Sequence, residues 1–254
     1  MAGIEFAIIC VALFIVAILY SSVGHGGASG YLAVLSLSSF AMMDSAWLKQ
    51  YAWCLNLVVA GVAFWYYYRA GHHIPKLTIP FIAASIPFAM LGGYLLVDGV
   101  IYDLLFSFAL LWAAWRLFSV NNKESEEITE PNLQIALPVG GIIGLISGIV
   151  GVGGGIFLSP LIMLKKWATP KAAAATAAIF IWVNSAASIA GASLSGQLDL
   201  ELSILVPFIA TAFIGGIIGS AYGANIASQP KIRKLLVLVL IVAALRRIIG
   251  LFGI

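Results

Sequence analysis

Leu202–Ala224 runs for 23 residues without a single charge. As a helix at about 1.5 Å per residue, a run of that length crosses a hydrocarbon core about 30 Å thick. Leu235–Leu245 is a second uncharged run, ending at Arg246 and Arg247. The whole chain follows suit, with 62% hydrophobic and 9% charged residues and a mean hydropathy of +1.08. A soluble domain carries about 25% charged residues, so the chain reads as an all-α polytopic membrane protein. Phe6–Tyr20 lacks a basic start and runs into a glycine string, so it reads as a helix and not as a cleaved signal. The net charge of +3 implies no nucleic acid, because the basic residues fall at predicted helix ends. Cys10 and Cys54 lie in apolar runs without C-x-x-C spacing, so neither a disulfide nor a metal is expected. No cofactor is expected either.

Two glycine strings break this apolar background at matching places. Val23-Gly24-His25-Gly26-Gly27-Ala28 aligns with Val150-Gly151-Val152-Gly153-Gly154-Gly155. Each follows a serine-bearing helix end, Ser21 and Ser22 in one case and Ser147 in the other. Around them each half reads as five helical segments. The first half has segments near 5–22, 28–40, 46–69, 77–97 and 101–119, and the second near 133–150, 155–165, 170–195, 202–225 and 232–252. A polar stretch with four glutamates separates them, giving a first repeat at 1–120, a cytoplasmic linker at 121–132 and a second repeat at 133–254. The second segment of each half is too short to span, so the glycine backbone lies at depth. Lipid tolerates irregular backbone there only where protein surrounds it or it lines a cavity.

Charge placement sets the expected topology. With ten segments and the N-terminus outside, ten of the thirteen Lys and Arg fall on cytoplasmic loops, leaving Lys49, Arg246 and Arg247 outside. Eight crossings would split them seven against six, so the positive-inside rule favours ten. An odd count per half makes the second repeat upside down relative to the first. Both termini are then expected outside a multi-pass protein of the plasma membrane.

Two helix starts that converge would present bare N–H groups and positive dipole ends, a setting for an anion. The simpler reading of each glycine is close helix packing. Acidic residues fall in loops or at helix ends and none in mid-span, where cation carriers place them. His25 could donate to an anion, bind a coupling proton, or bond a carbonyl freed by the break. Asn56 and Asn184 lie within the third segments, able to touch substrate or to join two helices. Lys49, Trp53 and Asn56 are spaced i, i+4, i+7 on one face, with Lys49 read chiefly as a residue snorkelling at a helix end. Thr176 and Ser185 are weaker candidates. The expected substrate-binding set is Ser22, Gly24, His25, Gly26, Gly27, Asn56, Ser147, Gly151, Gly153, Gly154, Gly155 and Asn184. No nucleophile–base pair, phosphate-loop lysine or zinc spacing appears, so no enzyme is expected.

At these residues the chain resembles the TauE/SafE sulfite exporter family. The second half carries it best, in Gly151-Val-Gly-Gly-Gly-Ile-Phe-Leu-Ser-Pro160-Leu and Thr169-Pro-Lys-Ala-Ala-Ala-Ala-Thr176-Ala. The first half, Ser22-Val-Gly-His-Gly-Gly-Ala-Ser-Gly-Tyr-Leu-Ala, is a variant with Ala33 in place of the proline and His25 added. The resemblance implies export of sulfite or another sulfur oxyanion or organosulfonate. The residues alone leave three readings open: a secondary transporter working by alternating access, an anion channel or facilitator, and a non-transporting membrane subunit. Oligomeric state is not legible.

Overall fold

The computed structural model describes residues 3–97, 104, 107, 108, 111, 112, 115, 129 and 131–226. The expected segments at 101–119 and 232–252 and the linker at 121–132 lie wholly or mostly outside the described residues. Within them the chain is helical, as expected: α1 Gly3–Ser21, α2 Ala28–Ser36, α3 Ser45–Arg69, α4 Pro75–Tyr94, α5 Leu133–Val150, α6 Gly155–Leu164, α7 Pro170–Leu194 and α8 Leu202–Asn225. Five of these, α1, α4, α5, α7 and α8, are long and apolar enough to cross a membrane. α3 has 25 residues but is more polar, because it carries Lys49, Gln50 and Asn56.

Local chemistry places the starts and stops. Asp44 accepts from Trp47 N at 2.7 Å and Thr169 from Ala172 N at 3.4 Å, capping α3 and α7 at equivalent places. α5 stops where Gly151 turns left-handed, at φ +87°, and its N–H returns to Ser147 O at 2.8 Å. α2 and α6 start from glycines in that same region, Gly27 at φ +104° and Gly154 at φ +82°, which have no side chain of their own to cap the helix. α2 ends sooner than the expected 28–40, because Ser38 accepts from Phe40 N and starts a 3-10 turn at Ser39–Met42.

Helix directions follow from the contacts. A methyl on Gly140, Gly144 or Gly148 of α5 would strike the carbonyls of Phe81, Ser85 and Ala89 of α4 in turn, so these two helices run the same way. Gly215, Gly219 and Gly223 of α8 meet Phe14, Ile18 and Ser22 in or just beyond α1 in the same manner. Absence of Cβ lets each pair pack backbone to backbone, which in lipid supplies the contact that the hydrophobic effect cannot. α7 runs with α4, through Thr78–Thr176 at 2.9 Å and Ser188 to Ala89 O at 3.2 Å. α8 runs with α3, through Tyr51 to Glu201 and Gly216 to Val59. α3 and α7 run oppositely, Asn56 meeting Ser185 while Gly61 meets Trp182. Thus α1, α3 and α8 point one way and α4, α5 and α7 the other. Exchanging α1–α4 with α5–α8 leaves the pattern of main helix pairs unchanged.

Charge separates along the same axis. Among the described residues Arg69, Lys76, Lys165, Lys166 and Lys171 lie at the end where α3 finishes and α4 and α7 begin. Glu5, Asp44, Asp199 and Glu201 lie at the opposite end. α2 doubles back along α1, with Tyr20 on Ser29 at 2.8 Å and Ser39 N on Glu5 Oε1 at 2.9 Å. That hairpin opens at the acidic end. α5 and α6 form the second hairpin, opening at the basic end, where Thr129 N reaches Lys166 O at 3.0 Å.

Candidate functional site at the two glycine breaks

The tips of the hairpins pass each other inside the bundle. Gly24 lies against Ala174, the fifth residue of α7, and Gly151 lies against Lys49, the fifth residue of α3. Both central glycines meet the same pair of side chains at the middle of those helices. A methyl on Gly26 would strike Asn56 Oδ1 and Ile181, and one on Gly153 would lie 2.7 Å from Asn56 Nδ2 and 2.8 Å from Ile181. Asn56 and Ile181 are each the twelfth residue of their helix. The breaks therefore close on one amide and one branched alkyl group.

Asn56 is fully buried and bonded on both sides. Its Oδ1 accepts from Ala28 N at 3.0 Å, the first amide of α2, and its Nδ2 donates to Ser185 Oγ at 3.3 Å. Ile181 cannot repeat this for α6. Among the described residues the amides of Gly155 and Ile156 engage no acceptor, nor do those of Gly26, Gly27 and Gly154. These are the donors expected from helix starts.

The other expected residues divide into three groups. Ser22 and Ser147 are buried but turn their hydroxyls onto their own helices, at Leu19 O and Ile143 O. Ser22 also lends its carbonyl to Tyr67 at 2.9 Å. His25, 5% exposed, donates from Nδ1 to Val23 O at 2.8 Å, so the imidazole is tied to its own break. Asn184 is fully buried, and neither its Oδ1 nor its Nδ2 has a partner among the described residues. It lies on α7 one turn from Phe180, which packs on Gly154, and one turn from Ser188, which donates to Ala89 O of α4. A buried amide without partners is costly and calls for a ligand or water.

Lys49 departs from expectation. It is 1% exposed, because the tip of the second hairpin covers its stem at Gly151, so it does not snorkel to the surface. Ser185, a weaker candidate in the sequence, is the residue that accepts from the Asn56 amide. Thr176 bonds Thr78 and fastens α7 to α4. An open apolar cleft of about 370 Å³ lies elsewhere, against α5 and α6, where Ile142, Ile146, Phe157 and Leu161 offer an anion nothing to bind. Among the described residues no group of His, Cys, Asp and Glu is placed to hold a metal ion.

At the basic end His72 sits where Lys171 reaches Ala224 O at 2.8 Å. Partial burial and the Lys171 charge lower the His72 pKa, against a backbone bond at Ala224 that raises it. Partial burial also lowers that of His73.

Known proteins bear out the class. The chain is 33% identical over 244 residues to the "Probable membrane transporter protein y4hK" of Sinorhizobium fredii, covering 94% of this chain and 96% of that one. No solved structure matches it. The model of the sulfite exporter TauE/SafE family matches residues 9–247. With nearly every residue matched, including both breaks, the chain belongs to the TauE/SafE sulfite exporter family.

Proposed function

We propose that this membrane transporter, which its family marks as a transporter and not an enzyme, exports a small anion by alternating access around the two breaks. The substrate class is a sulfur oxyanion, sulfite first, or an organosulfonate. The halves are 1–120 and 133–254, joined by a cytoplasmic linker at 121–132 and related as inverted repeats. Opposite directions of α1 and α5, of α3 and α7, and of α4 and α8 support that relation. Five described cations at one end and four carboxylates at the other support a cytoplasmic basic end and an external N-terminus in the plasma membrane.

One observation carries the reading: Gly26 and Gly153, from hairpins opening at opposite ends, lie against the same Asn56 amide. Rocking of one half on the other would expose that point to each side in turn. Amides of Gly26, Gly27, Gly154 and Gly155 would hold the anion, with Asn56 and Asn184 on the walls. His25 would set the charge and carry any coupling proton. The absence of a carboxylate among the described mid-span residues favours an anion over a cation.

Counterflow in proteoliposomes tests this. Labelled sulfite uptake is expected to saturate and to accelerate when unlabelled sulfite is loaded inside. Saturation without acceleration, or a linear flux, would favour a channel. No flux of sulfite or of methanesulfonate would leave a non-transporting subunit.

A further inference from the structure

Tyr31 is fully buried in the first turn of α2, and its hydroxyl has no hydrogen-bond partner among the described residues. Its position is specific. A methyl on Gly27 would lie 2.6 Å from Tyr31 Cζ and 2.7 Å from its Oη, so the phenol tip rests on the glycine that starts the helix. The neighbouring Tyr20 is in the opposite state, bonded to Ser29 at 2.8 Å. The donors at the start of α2 can be counted. Gly30 N and Tyr31 N return to Gly27 O at 2.9 Å each, and Ala28 N goes to Asn56. Ser29 N engages no acceptor among the described residues. Within α2 two donors thus remain, an amide and a phenol, both shielded from solvent, beside the unengaged amides of Gly26 and Gly27.

Burial of a hydroxyl without a partner is unfavourable by roughly the cost of its desolvation. Packing does not require it, since phenylalanine has the same ring. The matching position in α6 is Leu158, also the fourth residue of its helix, so the repeat does not demand a tyrosine there. We propose that Tyr31 is a substrate-positioning residue, its phenol O–H donating to an oxygen of a small oxyanion held at the start of α2. This rests on reading the breaks as the anion site, and adds that the substrate is gripped unequally, with the phenol on the first break alone.

Tyr31→Phe tests it in the full-length protein, with sulfite and methanesulfonate as probes. Without ligand, the melting temperature in detergent is expected to stay level or rise, since an unsatisfied hydroxyl is removed. The upward shift produced by sulfite should shrink. In proteoliposomes KM should rise about ten-fold or more, the effect of one lost hydrogen bond to a charged group, with a smaller change in maximal rate. A lower melting temperature without ligand, with shift and KM unchanged, would make the hydroxyl structural and overturn the proposal while leaving the anion site standing. If the wild-type protein neither binds nor moves either probe, the anion reading fails and this proposal falls with it.

Discussion

The two glycine breaks use one backbone device with different furniture. Both start a short helix from a left-handed glycine, and both reach across the bundle to the third helix of the other half. The first break meets Ala174 and the second meets Lys49. The first helix start is capped by Asn56, while Ile181 stands where a second asparagine would be. Tyr31 and His25 on the first side correspond to Leu158 and Val152 on the second. The matching backbone thus carries its polar groups on one side, at the first break. Backbone geometry is shared because mid-membrane irregularity must be enclosed in protein, whereas side chains are free to diverge wherever one polar group can serve both halves.

The largest expected difference lies between Gly24→Ala and Gly151→Ala. Both glycines have positive φ, which costs an alanine about 1–2 kcal/mol. At Gly24 the new methyl would meet the Ala174 backbone, its carbonyl oxygen 2.5 Å away, and overpacking adds about 1–3 kcal/mol. At Gly151 it would meet the Lys49 Cγ at 2.8 Å, which a lysine stem can move aside. Thermal unfolding in detergent should rank Gly24→Ala well below Gly151→Ala. Equal losses would mean that the two breaks are packed alike.

Next comes the central pair. Asn56→Leu removes two buried hydrogen bonds and strands the Ala28 amide, so a loss of about 2–4 kcal/mol is expected. Ile181→Leu at the matching place keeps volume and polarity, and should cost less than about 1.5 kcal/mol. Denaturation midpoints of the two variants would settle whether polarity is concentrated on α3.

The smallest effect concerns the loops outside the membrane. The loop after α3 docks with His72 near Lys171 and Ala224, while the loop after α7 docks with Asp199 N on Gln50 at 2.7 Å. A His72 pKa lowered in the folded state means that the unfolded chain binds more protons. Stability from this group is present above the ordinary histidine pKa of about 6.5 and declines as pH falls below it. His72→Gln should flatten part of the acid-side slope of melting temperature against pH. An unchanged slope would assign it to other groups, His73 among them.

Much of this was legible in the chain because a bilayer tolerates few solutions. Uncharged runs such as Leu202–Ala224 and glycine strings between them announce spans and breaks through chain-local constraints. Partner choice is a different matter. Asn56 and Asn184 look alike in sequence, yet one is doubly bonded and the other has no partner among the described residues, because their neighbours come from different helices. Lys49 is buried by Gly151, about a hundred positions away, and no local pattern encodes that cover. Tyr31 went unnoticed because an aromatic residue in a short apolar helix reads as core.

The two hairpins open at opposite ends of the bundle, and the proposed transport requires them to enter from opposite faces of the membrane. Met42, 93% exposed after α2, and Lys165, exposed after α6, mark their return ends. Met42→Cys and Lys165→Cys, each made in a background with Cys10 and Cys54 replaced, can be labelled with a membrane-impermeant thiol reagent on whole cells. Met42→Cys should react in intact cells and Lys165→Cys only after permeabilisation. Labelling of both from the same face would contradict the inverted arrangement.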